Sequence, residues 1–114
     1  MAAWPDLRTV RSFLRLQPDP EQDAVIEQAR LAALDYGIER LGKDATGAPN
    51  YPTNTSTLPD SAALACTMHA GRLYRRRDSV DGTIGFGDLG AIRVGRVDPD
   101  IEALYAQHAP LVFG

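Results

Sequence analysis

Apolar residues recur three and four positions apart near the start of the chain: Leu7, Val10, Phe13 and Leu14 share one face of a helix, with Pro5 and Asp6 where a helix start accepts them. Arg8, Arg11 and Arg15 form a stripe on another face. Pro18-Asp19-Pro20 interrupts the pattern. Asp19 can then cap a second helix, with Pro20 at its first position and Gln22 at its third, an arrangement of the capping-box type. The pattern carries this helix to about Leu41, with a stop at Gly42. Two apolar stripes, Val25, Ala29, Ala32, Tyr36 and Leu31, Leu34, Ile38, Leu41, wrap much of its circumference, which predicts a helix at the centre of the fold.

From Lys43 to Ser56 the periodicity vanishes into Gly, Pro, Asn and Thr, the pattern of a long loop of a length often tied to function. Thr57 and Asp60 fit a helix-start signature, and Ala62, Ala65, Cys66, His69, Ala70, Leu73 and Tyr74 then form one face of a third helix. That face is rich in small residues, so a close approach to the second helix is expected. A last cap-then-proline signal, Asp98-Pro99-Asp100, opens a short fourth helix carrying Ile101, Leu104 and Tyr105. These elements predict a mainly α fold: a small helical bundle of three main helices plus a short C-terminal helix.

Between the third and fourth helices, Gly85, Gly87 and Gly90 have the G-x-G-x-x-G spacing of a dinucleotide-binding loop. That fingerprint works where a strand turns into a helix whose N-terminal amides hold a pyrophosphate. Here it follows a helix end and precedes the alternating segment Ile92, Arg93, Val94, so no βαβ unit carries it. The better reading is a glycine-rich hairpin-like arm across residues 80–97. In it Thr83, Ile84 and Phe86 form one limb, residues 91–94 the other, and Gly87-Asp88-Leu89-Gly90 the turn. A lone hairpin is marginal in water. The arm is therefore expected to lean on its own helices or on a neighbouring subunit, with Gly82, Gly85, Phe86, Gly87, Leu89, Gly90 and Ile92 as its candidate residues.

The chain has 114 residues, enough for one domain with a modest core. One cysteine, Cys66, and two separated histidines, His69 and His108, offer neither an internal disulfide nor a metal-ligand cluster, so no cofactor or metal is expected. His69 reads as a satisfied core histidine and Cys66 as a small buried hydrophobe. A formal net charge of −3 disfavours a protein whose main task is gripping phosphates. No apolar run is long enough to span a membrane, and the start lacks the regions of a secretory signal, which predicts a cytoplasmic site of synthesis. No nucleophile elbow, Walker A pattern or paired carboxylates appear, so an enzyme is not expected.

Two further features invite an interaction role. Arg75, Arg76 and Arg77, with Arg72 one turn earlier, sit at a helix C-terminus, where the helix dipole favours cations. Their guanidinium groups also suit pairing with carboxylates of a neighbouring subunit. Pro110, Leu111, Val112 and Phe113 place large apolar side chains after the last helix, which divides the chain into a helical domain, 1–109, and an extended C-terminal tail, 110–114. The tail either folds back on the core or docks on a partner.

Taken in order, "PDLRTVRSFLRL", "DPEQDAVIEQARLAALDYGIERLG", "ALACTMHAGRLYRRRDSVDG", "DGTIGFGDLG" and "DPDIEALYAQ" followed by an apolar tail resemble the head-to-tail adaptor, or head-tail connector, proteins of long-tailed bacteriophages. The resemblance spans almost the whole chain. It implies a structural virion subunit that assembles as a dodecameric ring between the portal protein and the head-closure or tail proteins. That ring would continue the DNA channel, with genomic DNA passing through unread. It further implies that Pro110 to Phe113 dock on the portal and that the Gly82 to Gly95 arm faces a neighbouring subunit or the next ring. A small helical DNA-binding module, motivated by Arg8, Arg11, Arg15 and the Arg75 cluster, is the alternative.

Overall fold

A computed structural model describes residues 2–79 and 98–108. The described part is mainly helical, as the periodicity predicts: α1 (Leu7–Leu14), α2 (Pro20–Leu41), α3 (Asp60–Ser79) and α4 (Pro99–Ala106). The arm at 80–97, the tail at 110–114 and the side chain of Arg77 lie outside the described residues.

Three of the helices begin as their cap residues dictate. The Asp6 carboxylate accepts from the Thr9 amide at 2.8 Å and the Thr9 hydroxyl at 2.7 Å. Asp19 accepts from the Glu21 amide and Asp98 from the Asp100 amide, both at 3.0 Å, with Pro20 and Pro99 opening their helices. The capping box at α2 is only half formed, because the Gln22 side chain instead accepts the Tyr74 hydroxyl across the α2–α3 contact. The start of α3 also differs from expectation. Asp60 is its first residue, and Thr57 hydrogen-bonds Thr55 rather than capping the helix.

The closest packing joins α2 to α3, which run antiparallel: Gln22 near the start of α2 meets Tyr74 near the end of α3, while Tyr36 meets His69. The side of α2 turned inward carries Ile26, Ala29, Ala33, Leu34, Gly37 and Leu41. This is one stripe, rotated from the two that the sequence suggests, and Leu31 and Ala32 are exposed. The expected face of α3 is borne out more closely, with Ala62, Ala65, Cys66, Ala70, Leu73 and Tyr74 buried and His69 half-buried. Helix α1 packs across both, and α4 lies antiparallel to α3, its Asp98 beside Arg72 and its His108 beside Ser61.

Glycine makes two of these approaches possible. At Gly37 a Cβ would fall 2.5 Å from the Tyr105 hydroxyl and 2.9 Å from the Trp4 ring, so two buried aromatic residues rest directly on the α2 backbone. At Gly71 the edge of Phe13 comes as near, 2.8 Å from where a Cβ would stand. The long loop after α2 is tied at several points. Ala2 and Leu58 exchange backbone hydrogen bonds at 2.8 Å, the Trp4 indole donates to the carbonyls of Tyr51 and Pro52, and the Asn50 amide donates to the Leu41 carbonyl.

Candidate functional site

Of the residues singled out from the sequence, Arg72, Arg75 and Arg76 lie along the C-terminal half of α3. Arg72, half-buried, forms an ion pair with Asp98, the cap of α4. This pair holds the start of α4 against α3. The Asp98 carboxyl is held below its usual range by the Asp100 amide and by Arg72. Arg75 is exposed and stands 5.9 Å over the Phe13 ring, a cation–π geometry. Arg76 is half-buried, and its charge reaches His69. The remaining arm and tail candidates, Gly82, Gly85, Phe86, Gly87, Leu89, Gly90, Ile92 and Pro110 to Phe113, lie outside the described residues.

Much of the positive charge on the other helices is already engaged. Arg11 pairs with Asp23 at 3.1 Å, Arg30 with Glu27 at 2.6 Å and Arg40 with Glu102 at 2.8 Å. Of the α1 stripe, only Arg8 and Arg15 stand exposed, while Arg11 is half-buried against α2. Among the described residues this dispersal weighs against a continuous phosphate-binding surface, which needs uncommitted guanidinium groups side by side.

The seam between α2, α3 and α4 holds groups whose role the sequence does not reveal. The Tyr36 hydroxyl donates to Glu102, which also accepts from Arg40; burial and that carboxylate push the phenol up to about 12. Although burial alone would raise it, the bonds from Tyr36 and Arg40 keep the Glu102 carboxyl below its usual range. His69 meets the Tyr36 ring edge-on at 5.1 Å. Its Nδ1 is buried without a hydrogen-bond partner, so the expectation of a satisfied core histidine is not met. Burial, then the charges of Arg76 and Arg72, push its pKa down to about 4, which leaves it neutral near pH 7. Cys66 is buried, and burial pushes its thiol up to about 12, so little thiolate is present to act as a nucleophile.

Comparison with protein families, curated proteins and solved structures returns no match. Among the described residues no cluster of three or more His, Cys, Asp or Glu could hold a metal ion, and no helix is long and apolar enough to cross a membrane. Ser61 and His108 do meet, Oγ to Nε2 at 2.5 Å, a contact 47 residues apart in sequence that spacing could not have disclosed. It joins the end of α4 to the first turn of α3. His108 thus stands beside the N-terminal end of α3, whereas Ser79 closes its C-terminal end. From Ser61 to Ser79 a helix rises about 27 Å at roughly 1.5 Å per residue.

Proposed function

We propose that this chain is a structural adaptor subunit of a phage virion, assembling as a ring between the portal protein and the head-closure or tail proteins. The observation that supports this reading beyond sequence resemblance is the separation of the described residues that border the two candidate contact segments in sequence. His108 contacts Ser61 at one end of α3, and Asp98 pairs with Arg72 towards the other. A subunit built this way can engage one partner at each end while the helices between act as a rigid spacer. The apolar composition of Leu111, Val112 and Phe113 suits insertion into a pocket of the portal, and the glycine-rich segment suits a contact with an adjacent subunit or ring.

Co-sedimentation with the portal protein of the same phage tests this reading, using the full chain and a version ending at Ala109. Binding that requires the tail supports both the adaptor function and the role of Pro110 to Phe113. Equal binding by both versions keeps the adaptor function and moves the contact elsewhere. Absence of binding by either version removes the reading. Strong, steeply salt-dependent DNA binding by the isolated chain would then favour the DNA-binding alternative.

A further inference from the structure

Two of the large hydrophobic side chains that stand exposed border the same strip of α3: Leu64, 48% exposed, and Phe13 of α1, 38%. A single exposed leucine is ordinary, but this one has company. Ser61, Leu64, Met68 and Gly71 recur at helical spacing along one side of α3, with Met68 half-buried and the edge of the Phe13 ring resting on Gly71. Leu104, also half-buried, lies on the side of α4 turned away from α2, because Glu102, two positions earlier and so on the opposite side, bonds Tyr36 and Arg40. The exposed charged residues Asp60 and Arg75 stand at the two ends of the strip. Between them it presents Leu64, Met68 and the Phe13 ring.

His108, the last described residue, meets Ser61 at the head of this strip. Along the helix from Ser61, Leu64 lies about 4.5 Å, Met68 about 10 Å and Gly71 about 15 Å away, at roughly 1.5 Å per residue. The next five residues of the chain, 109–113, can span about 16 Å when extended at about 3.3 Å each. They carry Leu111, Val112 and Phe113, and Pro110 ahead of these disfavours any continuation of α4.

We infer that in the free subunit the chain turns back after His108 and lays Leu111, Val112 and Phe113 over this strip, with Leu111 toward Leu64 and Phe113 toward Met68 and Phe13. Only Ala109 and Pro110 separate the apolar run from His108, so the encounter is intramolecular, at an effective concentration on the order of millimolar. A second copy would have to compete from dilute solution. The run and the strip shield each other from water, each removing the other's exposed apolar area. The inference concerns the subunit before assembly and goes beyond the adaptor reading. A tail held here is kept from non-specific contacts, and a portal pocket takes it only by offering better apolar contact than Leu64 and Met68 do.

Thiol protection in the full chain tests the contact. Leu64→Cys is labelled with a maleimide in the presence of the native tail and in the double variant Leu64→Cys/Phe113→Asp, whose added carboxylate resists apolar burial. Leu31→Cys, 49% exposed on α2, is the control site, and the wild type gives the background because its one cysteine, Cys66, is buried. Leu64→Cys should react about tenfold more slowly with the native tail, the factor left when the strip is covered about nine-tenths of the time. Leu31→Cys should react equally with either tail. A Leu64→Cys version ending at Ala109 should match the Phe113→Asp rate, and the protection should be the same at high and low protein concentration. Circular dichroism checks that each variant keeps its helix content.

Equal Leu64→Cys rates with the native and altered tails would overturn the inference. So would a slowing that appears equally at Leu31→Cys, or one lost on dilution, which would make a second copy the cover. Portal co-sedimentation reads the adaptor function separately, so either reading can fall without the other.

Discussion

Gly37 and Gly71 are used alike and to different ends. Each lets an aromatic ring rest on a helix backbone, and a Cβ at either would meet that ring at under 3 Å. At Gly37 the visitors are Trp4 and Tyr105, both buried, one from the N-terminal segment and one from α4. At Gly71 the visitor is Phe13, partly in water and with Arg75 above it. The first site joins both ends of the described chain to the central helix, and its rings have nowhere to move. The second sits at the surface, where a ring can swing outward. The same local chemistry therefore makes a rigid core at one place and an adjustable contact surface at the other.

The largest expected effect lies at the core site. Trp4→Ala should cost about 3–5 kcal/mol in chemical denaturation, because it removes a large buried ring and the indole donor shared by two loop carbonyls. Next, Gly37→Ala should cost about 1–3 kcal/mol by overpacking. Tyr105→Phe by itself should leave stability unchanged or raise it, since the hydroxyl is buried without a partner of good geometry, and combined with Gly37→Ala it should recover part of the loss. If the two substitutions simply add, the hydroxyl is not what fills the space beside Gly37.

His69, on the same seam, adds a pH dependence. Its folded pKa, pushed down to about 4, lies below the ordinary value of 6.5, so the unfolded chain binds the proton more tightly. The resulting stability is complete above pH 6.5 and is lost as the pH falls toward 4, on the order of 2 kcal/mol. Denaturation midpoints of the wild type and His69→Gln between pH 7 and 4.5 measure this; parallel curves would show that His69 does not titrate as the structure requires.

The surface site should respond least. Phe13→Ala should cost about 1 kcal/mol, because only part of the ring is buried. Gly71→Ala should cost under about 1 kcal/mol, because the far edge of Phe13 can give way. A cost at Gly71 equal to that at Gly37 would mean that Phe13 is as fixed as Trp4, and the contrast between the two sites would be lost.

Helix boundaries were legible to within a residue or two wherever a cap spoke for them. Asp19-Pro20 and Asp98-Pro99 mark starts that depend on local hydrogen bonding, and Gly42 follows the last residue of α2. Thr57 misled because a start signature says nothing of competing partners, and Thr55 is one. Of the candidate site, Arg72 and Arg75 could be picked out by clustering, but not their partners, Asp98 and Phe13, which are distant in sequence.

The sequence by itself determined the order of the four described helices, the inner face of α3 and the long loop, because caps, prolines and apolar periodicity act over a few residues. Only the tertiary structure decided which side of α2 faces inward. A helix with apolar residues around most of its circumference leaves that rotation open, and it is set by where Trp4, Tyr105 and α3 come to rest. That choice buries Ala33 and Gly37 and exposes Leu31 and Asp35.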